Sequence, residues 1–344
     1  MMRKQRRHGT FAEETRSKSA GRGGLRILVA SCALLVVLTV GAIATCAVLK
    51  RGSASRAAAH SSFSGEDAFS QLQEIVQLQR WYGASDRGHA LDVLEERLRA
   101  NVDKVERQSF QRLEPVSGKT FTLTNLVARQ NPRAKRRLLF GSHWDSRLWA
   151  EEDPDPAQRN RPITGANDSG SGVAVLLVLA KHTRGLASIG IDYVLFDGEE
   201  FGRPQGGAPY CQGSSYFVRT IETFYPGARP EAVVILDMVG DRDQNLYWEV
   251  SSLRRAPELT REIWTAASAL GLPGWYPQTR HHIIDDQTPF QELGIPAVLI
   301  IDYDYPPWHT QSDTIDKVSP TSLGGVGAVL LKLARDRDAR GASR

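Results

Sequence analysis

RRLLFGSHWDS, residues 136–146, decides the architecture of this chain. Its apolar run shows no polar alternation, the mark of a strand buried on both faces, and it ends on two ionisable side chains, His143 and Asp145. Three further segments repeat the design. IDYVLFDGEE (191–200) runs into Asp197, Glu199 and Glu200, EAVVILDMVGD (231–241) into Asp237, and IPAVLIIDY (295–303) into a loop carrying Trp308 and His309. Helical spacing fills the intervals, in VAVLLVLAKH (173–182) behind the Gly-rich NDSGSG loop (167–172) and in APELTREIWTAASALG (256–271). Two more helices, EDAFSQLQEIVQLQ (66–79) and HALDVLEERLRANV (89–102), precede the first of these strands. The alternation predicts an α/β fold, a single domain with a mostly parallel, mixed central sheet flanked by helices on both faces. The last helix is capped by Ser319 with Pro320 at its first position and is expected to end near Ala334, leaving 336–344 as a disordered tail.

At the other end, residues 27–49 (ILVASCALLVVLTVGAIATCAVL) form an uncharged apolar run of 23. At about 1.5 Å per residue it spans a hydrocarbon core of roughly 30 Å. It reads as a transmembrane anchor rather than a cleaved signal, whose apolar region is about 7–15 residues long. Residues 1–26 carry eight Lys or Arg against Glu13 and Glu14, which places this basic tail in the cytoplasm and the domain beyond a linker (50–64) on the outer side. The predicted layout is therefore tail 1–26, anchor 27–49, linker 50–64, catalytic domain 65–335 and tail 336–344. The tail's +6, set against +4 for the whole chain, leaves −2 for the remainder, so the pI near 9.0 does not signal a nucleic-acid-binding face.

The order of strand-end residues carries the chemistry. His143, Asp168, Glu199, Glu200, Asp237 and His309, the last within WHTQSDT (308–314), are imidazole and carboxylate groups delivered to one crevice by the carboxyl ends of strands. That donor set suits zinc, which in catalytic sites keeps one position open for water or substrate. Of three cysteines, Cys32 and Cys46 lie inside the apolar run and Cys211 stands alone, excluding a disulfide scaffold and a cysteine-based zinc site. No GxxxxGK or GxSxG occurs, so neither a phosphate-binding loop nor a serine hydrolase elbow is present. The loops 148–163 and 202–213 are aperiodic and follow strand ends, so they are expected to form the pocket rim.

HWDS (143–146), NDSGSG, DGEEFG (197–202), LDMVGD (236–241) and WHTQSDT together resemble the cocatalytic zinc aminopeptidase clan. The DGEE pair, Asp285–Asp286 in DDQTPFQELGIP (285–296), and Trp308 before the final His are similar to its glutaminyl cyclase branch, the glutaminyl-peptide cyclotransferases. The resemblance implies a zinc aminopeptidase-like fold and one zinc held by Asp168, Glu200 and His309. It makes Glu199 the general acid/base, Asp237 and Asp285 a hydrogen-bonded, proton-sharing pair beside the substrate, and Trp308 a wall of the pocket. Its substrates would be N-terminal glutamines of peptides or proteins, taken by a monomeric domain. The alternative is a two-zinc aminopeptidase in which His143 and Asp237 hold the second metal and Asp168 bridges. A third reading, an inactive binding ectodomain, would show lost ligands, and none is lost. The segment IDYDYPPWH (301–309) departs from animal cyclases in its acidic and tyrosine residues, and the cystine of the secreted animal enzymes is missing. Asp145 and Asp313 are expected to cap turns and orient the two histidines, and His281 and His282 to lie on the rim.

Overall fold

Alternate residues of each central strand enter two different hydrophobic cores. Leu138, Phe140, Ala232, Val234, Leu236, Val298 and Ile300 belong to one, while Leu139, Val233, Ile235, Ala297, Leu299 and Ile301 belong to the other. This two-residue alternation within continuous apolar runs is why the sheet needs a layer on each side. The computed structural model describes residues 63–203 and 209–342. The basic tail, the apolar segment 27–49 and most of the linker lie outside the described residues. No helix among the described residues is long and apolar enough to cross a membrane.

In chain order the strands are β1 (Lys104–Glu114), β2 (Lys119–Gln130), β3 (Arg137–His143), β4 (Gly190–Phe196), β5 (Ala232–Asp237), β6 (Leu246–Glu249), β7 (Trp275–Arg280) and β8 (Ala297–Ile301). The α-helices are α1 (Gly65–Ile75), α2 (Arg87–Arg99), α3 (Gly172–His182), α4 (Gln212–Arg219), α5 (Val250–Arg255), α6 (Pro257–Ala269), α7 (Gln287–Glu292) and α8 (Pro320–Ala342). Six strands form a mixed sheet in the order β1-β2-β4-β3-β5-β8. The pairs β3 with β4, β3 with β5 and β5 with β8 are parallel, whereas β1 with β2 and β2 with β4 are antiparallel. The first core takes in α1, α2, α3, α6 and α8, and the second α4 and α7, so both faces are covered as expected. β6 and β7 pair in a separate two-stranded sheet.

Two boundaries differ from the sequence reading. The domain begins inside the expected linker, because Phe63 is buried against the first core and the Ser64 hydroxyl accepts the Asp67 N–H at 3.0 Å, capping α1. At the far end α8 does not stop near Ala334 but continues to Ala342. Charge pairing explains the extension. Arg337 and Arg340 both bond to Glu262 of α6, and the Asp338 carboxylate accepts the Ser188 N–H at 2.7 Å. Apolar periodicity carries no trace of such contacts.

Candidate metal centre and active site

Four strand ends and two turns converge as the sequence implies. His143 closes β3 and Asp237 closes β5, while Glu199 and Glu200 sit on a short helical turn one residue beyond Gly198. Gly198 has φ +76°, a left-handed conformation that turns the chain back toward the crevice, and a Cβ there would meet the Leu123 side chain at 2.6 Å. Asp168 lies in the turn leading into α3 and is joined to Ser169 by a cis peptide. His309 follows β8 with φ +52°, held there by a 3.2 Å hydrogen bond from the Glu152 N–H to its carbonyl.

Asp168, Glu200 and His309 are buried and present ligand atoms within 4.8 Å of one another. His309 Nε2 is 3.4 Å from Glu200 Oε1 and 3.6 Å from Asp168 Oδ2. Donors about 2.0–2.2 Å from a tetrahedral zinc stand about 3.4 Å from each other, so the trio has the spacing of a metal shell. Its charge calls for a cation as well. Burial and the charges of Glu200 and Asp237 push the Asp168 carboxyl up to about 8, and a divalent ion there would relieve that repulsion. His143, Asp168 and Asp237 form a second gathered set. Here His143 Nε2 is 3.1 Å from Asp168 Oδ1 and 3.2 Å from Asp237 Oδ1, while Nδ1 faces the Asp145 carbonyl at 3.1 Å. Both ring nitrogens meet acceptors. Burial opposes a charge on His143, but hydrogen bonds to Asp145, Asp168 and Asp237 outweigh it and raise its pKa well above the usual range.

The expected hydrogen bond between Asp237 and Asp285 is not formed. Asp237 Oδ1 is engaged by His143, and Asp285 Oδ2 is buried without a hydrogen-bond partner. The two still sense each other, since burial and then the charge of Asp237 hold the Asp285 carboxyl well above its ordinary pKa. Glu199 is also raised, by burial and by its neighbour Glu200, with Asp285 and Asp286 adding to the effect. Trp308 stacks on His309 with ring centroids 3.9 Å apart. Trp308 lines a cavity of about 370 Å³ together with Asp168, Glu199, Glu200, Asp237, Asp285 and His309.

Supporting residues are only partly those expected. Asp145 accepts the Glu199 N–H at 3.3 Å and the Glu200 N–H at 3.1 Å, so it fixes the acidic pair as well as facing the His143 ring. Asp313 accepts the N–H groups of Asn167 and Asp168 and the Tyr305 hydroxyl, which orients Asp168 rather than His309. The partner of His309 Nδ1 is Glu151, 3.0 Å away. Arg147, fully buried, joins Glu151 at 2.9 Å to Glu200 at 3.1 Å. Neither residue was singled out from the sequence; their signal was a charged pair four apart right after HWDS. Asp197 turns away from the crevice to an ion pair with Arg87 at 2.9 Å. His282 lines the cavity and His281 pairs with Asp304 at 3.0 Å, as rim residues would. Cys211 lies directly behind the acidic pair, its thiol donating to Glu199 Oε1 at 3.4 Å.

Residues 125–334 match the model of peptidase family M28. The glutaminyl-peptide cyclotransferase of Bothrops jararaca is 27% identical over 259 residues, spanning 66% of this chain and 68% of its own. Among solved structures, the glutaminyl cyclase of Porphyromonas gingivalis aligns with a TM-score of 0.76 at 30% identity, covering 80% of this chain and 99% of that one. A Zn-dependent exopeptidase from Parabacteroides distasonis aligns with a TM-score of 0.75 at 28% identity, covering 79% and 98%. The chain is thus a member of peptidase family M28 that closely resembles the glutaminyl cyclases.

Proposed function

We propose that the domain is a glutaminyl-peptide cyclotransferase that converts an N-terminal glutamine of a peptide or protein to pyroglutamate and releases ammonia. Asp168, Glu200 and His309 would hold one zinc ion. The observation that carries this reading over a two-zinc aminopeptidase is the contrast between the two gathered sets. His309 stands 3.4 and 3.6 Å from its carboxylates, beyond good hydrogen bonds of about 2.7–3.2 Å, whereas His143 stands 3.1 and 3.2 Å from its own. His143, flanked by acceptors at both nitrogens, is then a cationic hydrogen-bond donor that steadies Asp237 and Asp168.

Bound zinc supplies a Lewis acid for the side-chain amide of the glutamine. Glu199 takes a proton from the α-amine as its nitrogen attacks the amide carbon, then hands that proton to the departing ammonia. Its raised pKa suits both halves of the task. Trp308 packs against the glutamine side chain, and Asp285 and Asp237 orient the amine. The reaction is intramolecular, so the pocket contributes mainly by holding the substrate in the cyclising rotamer. We also propose that segment 27–49 anchors the chain, with the domain outside the cytoplasmic membrane and acting as a monomer on peptide N-termini.

The aminopeptidase reading stays in play because His143, Asp168 and Asp237 do gather within ligand reach. Incubating the zinc-loaded protein with a Gln-initiated peptide separates the two by mass spectrometry. Loss of one ammonia with one zinc per chain supports the cyclase; release of the whole first residue with two zincs rejects it in favour of hydrolysis.

A further inference from the structure

Behind the acid/base residue lies a third gathered set, Glu199, Cys211 and Asp285, whose potential ligand atoms also lie within 4.8 Å of one another. None of the three belongs to the trio assigned to the catalytic zinc. Two of them open on the same cavity, so an ion can reach the set by the substrate's route. Asp285 is 3% exposed, and its Oδ2 is buried without a hydrogen-bond partner, a carboxylate oxygen with unused acceptor capacity. Cys211 Sγ is 3.4 Å from Glu199 Oε1. Sulfur at about 2.3 Å and oxygen at about 2.1 Å from a tetrahedral zinc stand about 3.6 Å apart, close to that spacing. One sulfur with two carboxylate oxygens favours a soft or borderline ion over magnesium or calcium.

We propose that Glu199, Cys211 and Asp285 form a second, inhibitory site for thiophilic divalent cations such as cadmium or excess zinc. On binding, the Cys211 S–H proton and any proton held by the Glu199 and Asp285 carboxyls pass to solvent, a metal–sulfur bond forms, and Glu199 and Asp285 become ligands. Glu199 can then no longer accept the substrate's proton, so turnover stops while the catalytic metal stays in place. The binding claim stands apart from the cyclase reading, because it can be read without substrate.

The test uses the full chain carrying Cys32→Ala and Cys46→Ala, so that Cys211 is its sole thiol, loaded with zinc and then titrated with cadmium. Expected are an ultraviolet thiolate-to-cadmium charge-transfer band saturating at one equivalent, undisplaced zinc, and inhibition of Gln-peptide turnover over the same range. Adding Cys211→Ser should abolish the band and raise the inhibitory concentration at least tenfold, relative to that variant's own uninhibited rate. If the serine variant misfolds, Asp285→Asn with Cys211 kept should raise the cadmium concentration for half-saturation of the band by about tenfold. Absence of the band, a band with turnover undiminished, or unchanged inhibition after Cys211→Ser would each overturn the site. Absence of turnover on every Gln peptide would count against the cyclase reading alone and leave the band to decide the metal site.

Discussion

Glu199 and Glu200 are neighbours in sequence with opposite electrostatic fates. Burial works against the charge of Glu200, but His309 and Arg147 more than offset it and hold its pKa well below the usual range. Glu199 has no such support, and burial with the charge of Glu200 holds it high. That contrast supports the proposed division, in which Glu200 binds metal and Glu199 carries a proton. Glu199→Gln should keep its zinc and lose about 100-fold or more in turnover, as for a missing general acid/base; metal analysis beside a rate assay checks it, and retained activity would remove Glu199 from the role. Glu151 offers a subtler test. It holds the ring nitrogen of His309 that faces away from the proposed metal position, so Glu151→Gln should weaken zinc binding by about 10- to 100-fold with the fold intact. A zinc dissociation constant equal to that of the parent protein would show that the contact orients nothing.

At the scale of elements, strand ends were legible and their supports were not. An unbroken apolar run closing on a charged residue points to a buried strand and a crevice residue together, which is how His143, Glu199, Glu200 and Asp237 stand out. Glu151 sits in an aperiodic loop and meets His309 from 158 residues away, a contact that no local pattern records. The hairpin of β1 and β2 escaped for a related reason: β1 mixes buried and exposed positions irregularly, and the buried run of β2, residues 123–128, is interrupted by the polar Thr124 and Asn125, so neither shows the long apolar runs of the centre. The end of α8 shows the same limit, since its last turns are held by Glu262 rather than by an apolar stripe. Glu262→Gln should therefore cost about 1 kcal/mol, the upper range for a partly exposed ion-pair network. That corresponds to a melting temperature lower by about 2–4 °C. Unchanged melting would mean that the final turns stay docked without this pairing.

For the molecule as a whole, one buried acid away from the crevice should shape stability against pH. Asp302 has its Oδ2 bonded to the Asn245 N–H at 2.7 Å, while Oδ1 is buried without a partner. Burial, helped by the charge of Asp241, pushes its pKa up to about 7. In the unfolded chain it titrates near 3.9. The folded state thus retains a proton that the unfolded state has released, so the stability tied to Asp302 is complete below about pH 4 and lost as pH rises through about 7. Asp302→Asn, which stays neutral and keeps an acceptor for Asn245, should gain on the parent protein as pH climbs from 5 to 7 and hold that lead at pH 8. Paired melting curves across this range would refute the assignment if the difference stayed constant.

The division of each central strand between two cores also limits where the chain can change length. Deleting one residue within Leu138–Gly141 would turn over every side chain on one side of the cut, exchanging the contents of the two layers. It would also draw His143 back along the strand by about 3.3 Å, farther than a metal or hydrogen-bond contact tolerates. The sheet therefore acts as a ruler for the crevice: the rim loop that carries Glu151 can lengthen beyond its contacts with His309 and leave the chemistry in place, but the strands beneath cannot lose or gain a single step.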